Sequence, residues 1–267
     1  MPHGPIVLFG SGETSKHGRQ VHAHLFERLE IPVRVAIVET PAGFQPNVAN
    51  VTAKLRAFFR HNLSGFRPEV RIVAARHKGG VYDPDAPDIV APLEWAAYIF
   101  AGPGSPTYAV RHLAGTRTLA LMQRRAAEGA ILSFASAAAI AAGRYALPVY
   151  EIYKAGEDLH WVPGLDLFGH LGLDLTVVPH WNNAEGGRDL DTSHCFMGAE
   201  RFRYLRRLLP PETTILAIDE HTACVLDPAT ERVEVLGAGH VRVIRGSREE
   251  RFASGESFPF TLLRAPE

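Results

Sequence analysis

Two rhythms of hydrophobic and polar positions alternate along the chain. Short, almost unbroken apolar runs recur at PIVLFG (5–10), VRVAIVET (33–40), VRIVAA (70–75), WAAYIFAG (95–102) and AILSFA (130–135). Runs of this length read as strands, PIVLFG as a buried one. Between them lie segments with helical spacing: GRQVHAHLFERL (18–29), VANVTAKLRAFFRHNL (48–63), TYAVRHLAG (107–115) and TLALMQRRAAEG (118–129). A small-residue helix, SAAAIAAG, starts directly from the fifth run. Such alternation predicts a mostly parallel sheet with helices on both faces and right-handed connections.

The second half changes rhythm. Residues 145–172 read as loop, LDLTVVPH (173–180) as a strand, and AERFRYLRRLL (199–209) as a helix with a solvated basic face. Four short apolar runs follow at 213–219, 222–227, 232–239 and 240–246, separated by turns. They predict a small antiparallel extension at one sheet edge. No repeat, low-complexity segment or linker interrupts the pattern. The expectation is a single three-layer α/β domain over residues 1–267.

Composition narrows the function classes. Of 267 residues, 46% are hydrophobic and 21% charged, the average of a globular protein. The formal net charge is −1 with the signs interspersed, which argues against a nucleic-acid footprint. No apolar run reaches the roughly 18 residues of a membrane helix. MPHGPIVLFG lacks the pattern of a secretory leader. Two cysteines, Cys195 and Cys224, imply no disulfide framework, so the expected compartment is the cytoplasm. Uncovered strands over 232–246 would suggest a homodimer.

Three polar features fall at predicted strand ends, where open α/β sheets bind ligands. They are Ser136, the GPGSP turn at 102–106, and His180. A serine nucleophile needs a base, and the base needs an orienting acid. Ser136 begins a helix, so its plainer role is an N-cap. The window Phe134-Ala135-Ser136-Ala137-Ala138 fills both glycine positions of the G-x-S-x-G elbow. Glu151, flanked by Tyr150, Ile152 and Tyr153, is one candidate acid, with a salt bridge to Lys154 as its alternative. Asp219 and Glu220, ending TTILAID, are others.

The stretches IVLFGSGE, IFAGPGSPTYAVRHL, FASAAA, VVPHW and IDEHTACVLD together resemble the serine peptidases that include dipeptidase E and cyanophycinase. That family has a fold similar to the class I glutamine amidotransferases. The resemblance implies a serine hydrolase acting on a small peptide or amide without a cofactor or metal. It puts the nucleophile at Ser136, the base at His180 and the acid at Glu151. The oxyanion hole falls on Ala137 and the Gly102–Gly104 turn. Candidate substrate contacts are Glu13, Asn182, Asn183, Arg188 and Glu220. Two features depart from the family: Ala138 stands where it has glycine, and HWNNAEGG lacks the basic residues that follow the histidine in cyanophycinase. Specificity for aspartyl groups is therefore not implied, and Arg188 and Arg144 are the nearest candidate cations.

Three other readings compete. GSGETS (10–15) looks like a phosphate loop but lacks the third glycine of G-x-G-x-x-G and the Gly-Lys of a P-loop. His180, Glu185, Asp189, Asp191, His194 and Cys195 crowd one window, yet their spacing fits no zinc signature. A catalytically inactive relative would keep the fold as a binding module.

Overall fold

The computed structural model describes residues 3–264. The first half runs β1 (Ile6–Phe9), α1 (Lys16–Phe26), β2 (Arg34–Val38), α2 (Val48–Asn62), β3 (Glu69–Val73), α3 (Pro87–Trp95), β4 (Tyr98–Ala101), α4 (Pro106–Leu113), α5 (Arg117–Ala127), β5 (Ile131–Ala135) and α6 (Ala137–Ala142). The second half runs β6 (Tyr145–Ala146), α7 (Val149–Tyr153), β7 (Val162–Pro163), β8 (Leu175–Val178), α8 (Gly198–Leu208), β9 (Thr214–Ile218), β10 (Thr222–Asp227), β11 (Arg232–Gly237), β12 (His240–Arg245), β13 (Arg248–Ala253) and β14 (Ser257–Pro259). Among the described residues, no helix is long and apolar enough to cross a membrane.

The main sheet has eight strands in the order β14-β11-β10-β1-β5-β4-β2-β3. β1, β5, β4, β2 and β3 are mutually parallel, and β10, β11 and β14 add an antiparallel edge beside β1. This is the mostly parallel, helix-flanked architecture that the strand–helix rhythm predicts. Strand alternation divides the core. Ile6, Leu8, Leu132 and Phe134 point into one cluster, while Val7, Phe9, Ile131 and Ala135 point into another. The second cluster is closed by α1 and α2 through Leu25, Phe26 and Phe59. The first is closed by α3, α5 and α6 and by a second sheet.

That second sheet, in the order β13-β12-β9-β8, corrects the expected single edge extension. The four late apolar runs are shared between two sheets: β10 and β11 extend the main one, while β9 and β12 join β8. β9 explains the difference, being buried along its whole length. Leu216 and Ile218 face the main core, whereas Ile215 and Ala217 face a third cluster under α8 with Phe202 and Leu205. β14 pairs with β11 and β13 with β12, so the outer strands on that side of the two sheets are β14 and β13, not the strands over 232–246. α3, with Pro87 in its first turn, and the short α7 occupy stretches for which no helix was expected.

Candidate active site

β5 enters α6 through a single residue. Ser136 has φ 52° and ψ −112°, a backbone conformation that costs a non-glycine residue about 1–3 kcal/mol. The turn swings its side chain away from the helix, so Ser136 makes no capping hydrogen bond. The N-cap reading is overturned. Instead, Ser136 Oγ lies 2.8 Å from His180 Nε2. The turn tolerates Phe134 and Ala138 because both side chains leave it for the same core cluster. Around them, all of α6 is buried, with only Ile140 larger than alanine.

His180 follows β8 and Pro179, also with positive φ (53°). Its N–H donates to Gly10 O at the end of β1 (3.2 Å), and its carbonyl accepts from Cys195 N (3.2 Å). His180 is thereby held between the ends of β8 and β1 and the turn before α8. Its second nitrogen, Nδ1, lies 3.0 Å from Glu220 Oε1. A carboxylate only accepts, so Nδ1 carries the proton and Nε2 is left to accept from the serine hydroxyl.

Glu220 sits in the turn between β9 and β10, where the chain crosses from the second sheet to the main one. Asn183 Nδ2 donates to the same oxygen, Oε1, at 3.0 Å. The Glu220 N–H in turn donates to Asn182 Oδ1 at 2.7 Å. The hydrogen bond from His180 holds the Glu220 carboxyl below its ordinary range, with Asn183 adding to the effect against partial burial. Asn182 and Asn183 thus hold Glu220 in place.

Glu151, expected on the imidazole, is elsewhere. Its Oε1 accepts from the Thr107 hydroxyl, and its Oε2 is buried without a partner. It rides on α7, which faces α4 and not the end of β9. Thr107 Oγ1 lies 2.9 Å from Ser105 Oγ, which caps α4 by accepting from Tyr108 N. Glu151 therefore braces the turn before α4. Asp219, the remaining candidate acid, is also committed elsewhere. It accepts from Arg242 Nη1 (2.7 Å) and from His240 N (3.0 Å).

A pocket of about 50 Å³ opens over Ser136, lined by Gly104, Pro106, Ala137, Ile140, Val149, Tyr150, His180, Cys195 and Phe196. Ala137 is the first residue of α6, so its N–H has no partner within the helix. Gly104 has φ 154°, and a Cβ there would lie 1.8 Å from Pro41 O. Only glycine lets that turn close. Of the expected oxyanion residues, Gly104 and Ala137 reach the pocket. Gly102 does not: it is buried against the Phe100 ring. Arg188 is exposed and absent from the pocket wall.

Glu13 flanks the site from the β1–α1 turn. Burial raises its carboxyl above the ordinary range, while its own backbone N–H, His180 and His221 pull the other way. The rest of that turn serves α1. Ser15 Oγ accepts from Gly18 N (3.2 Å), and the fully buried His22 binds Glu13 O (3.1 Å). Among the described residues, no three His, Cys, Asp or Glu side chains converge on a metal-sized site.

No protein-family model matches the sequence, and no curated protein does. Two solved structures share the architecture. A peptidase from an acI-B1 Actinobacterium superposes with a TM-score of 0.75 at 22% identity, over 97% of this chain and 97% of its own. A candidate Peptidase E protein from Listeria monocytogenes EGD-e superposes with a TM-score of 0.54 at 16% identity, over 94% of this chain and 98% of its own. At these identities the likeness carries the fold.

Proposed function

We propose that the protein is a serine hydrolase that cleaves a peptide or amide bond, with Ser136 as nucleophile, His180 as general base and Glu220 as the orienting acid. The observation that carries this reading is the unbroken hydrogen-bond chain from Ser136 Oγ through both nitrogens of His180 to Glu220, built on a serine with φ 52°. A structural serine gains nothing from that backbone strain. A nucleophile that must stand clear of its own helix does.

In this scheme His180 Nε2 takes the hydroxyl proton as Ser136 Oγ attacks the carbonyl carbon. The Gly104 and Ala137 N–H groups hold the resulting oxyanion. Glu220 stabilises the imidazolium, which then protonates the leaving amine. Water, deprotonated by the same imidazole, releases the acyl group from Ser136. The names of the two structural neighbours favour a peptide as the amide. Labelling with an alkyl fluorophosphonate tests the reading. The parent is expected to label at one site, and Ser136→Ala not at all. An unlabelled parent, or equal labelling of both proteins, rejects it in favour of a binding module.

A further inference from the structure

We propose, resting on the hydrolase reading, that the substrate carries a small, uncharged aliphatic side chain next to the scissile carbonyl. The pocket over Ser136 has two parts. Gly104, Ala137, Ser136 and His180 surround the reacting carbonyl. Pro106, Ile140, Val149, Tyr150, Cys195 and Phe196 form the remaining wall. With the carbonyl oxygen facing Gly104 and Ala137 and the leaving amine next to His180 Nε2, that wall is assigned to the acyl side. The leaving amine departs with the proton from His180.

Charge excludes an acidic group. Among the described residues no Lys or Arg lines the pocket, while the carboxylates Glu220, bonded to His180, and Glu13, which His180 acts on through space, flank its machinery. Arg201, packed behind the wall, donates to the carbonyls of Met197 (2.6 Å) and Phe196 (3.0 Å). The Lys154 ammonium lies 4.8 Å over the Tyr153 ring. A substrate carboxylate would be desolvated there without a counter-charge. A cationic side chain would meet an apolar wall, because Glu220 is already shared by His180 and Asn183 and Glu151 Oε2 is sealed from the surface. Size excludes an aromatic group. A volume of about 50 Å³, which the reacting carbonyl shares, holds about four water-sized groups, enough for a small aliphatic side chain and too little for an aromatic ring.

The test is a panel of X–Leu dipeptides and their N-acetyl forms, with X as Gly, Ala, Val, Leu, Asp, Lys or Phe. Turnover is measured on protein whose active sites are titrated with an alkyl fluorophosphonate. The best of Ala, Val and Leu is expected to exceed Asp, Lys and Phe at least tenfold in kcat/KM. A labelled enzyme that prefers Asp, Lys or Phe, or that cleaves none of the aliphatic members, overturns the proposal and leaves the hydrolase reading standing. Failure to label removes the hydrolase reading itself. Tyr150→Arg, at a rim position 41% exposed, supplies the missing cation without disturbing the core. It is expected to raise Asp relative to Ala at least fivefold; an unchanged ratio overturns the assignment of the pocket.

Discussion

Glu220 Oε1 lies 3.0 Å from His180 Nδ1, although the two residues come from different strand ends forty positions apart. The imidazole tautomer, and with it the basicity available to Ser136, depends on that contact. Replacing Glu220 by alanine removes the acceptor and is expected to lower kcat roughly 10³–10⁴-fold, as loss of an orienting acid does in other triads. Glu151→Gln keeps the contact with Thr107 and is expected to cost less than tenfold. Turnover, or the rate of fluorophosphonate labelling, separates the two.

The same pair sets an acid dependence. Glu220 is held below its ordinary value of 4.5 in the folded state, chiefly by the His180 hydrogen bond. A depressed folded value means that its stabilising contribution is complete above the unfolded value. The contribution is lost as pH falls through the folded one. The difference in unfolding free energy between the parent and Glu220→Gln is therefore expected to be constant from neutral pH to about 5 and to shrink below 4. Chemical denaturation across that range measures it; a difference that already closes by pH 6 contradicts the assignment.

Strain at Ser136 has its own signature. Ser136→Ala keeps the φ of 52° and its cost, whereas Ser136→Gly relieves it. The glycine variant is expected to be about 1 kcal/mol more stable than the alanine variant, despite the larger entropy that glycine loses on folding. Thermal unfolding of the two inactive proteins reads this directly. Equal stability means that the turn is not strained.

Ala138, where the usual elbow has glycine, is not what limits the site. Its side chain is buried in the core beside Phe134. Ala138→Gly is expected to destabilise the protein by about 0.5–1 kcal/mol without faster labelling. A variant that labels several-fold faster would show that the methyl group distorts the parent elbow.

The turn over 191–198 walls the pocket with Cys195 and Phe196, and Asp191 fastens it. Asp191 Oδ2 accepts from Ala199 N (2.8 Å) and Oδ1 from Ser193 N (3.0 Å). Hydrogen bonds from Ser193 and Ala199 push the carboxyl down to about 2. Because that value is depressed, the fastening persists at pH 4. Asp191→Ala is expected to raise KM several-fold with kcat within about threefold, at pH 7 and pH 4 alike. A fall in kcat with KM unchanged would place the turn in the chemistry and not in the pocket wall.

The parallel half of the main sheet was legible because its strands are short runs dominated by apolar residues, even in β3 at the edge, where Glu69 and Arg71 are exposed. Ser136 and His180 were legible because both close such runs. Glu220 was legible only as one acid among three. Nothing in IDEHTAC reveals that the chain leaves one sheet and enters another there, turning Asp219 toward Arg242 and Glu220 toward His180. Periodicity reports that β9 is buried, but not which sheet it joins. Glu151 was misleading for a related reason. An acid among aromatic residues reads as functional, and here its polar partner is Thr107, supplied by a distant helix.

At Asp219–His221 the chain crosses from one sheet to the other. Ser136 and His180 follow strands of different sheets, and Glu220 is the middle one of the three residues that join β9 to β10. A small shear of one sheet over the other would lengthen the Ser136–His180 contact, whose residues follow β5 of the main sheet and β8 of the second, while the His180–Glu220 contact lies between the ends of the neighbouring strands β8 and β9. On the proposed mechanism, the reactivity of Ser136 would therefore gauge the alignment of the two sheets. A chain halted before the β9–β10 turn would, on the same mechanism, lack the orienting acid, and only the fully assembled molecule would carry all three groups.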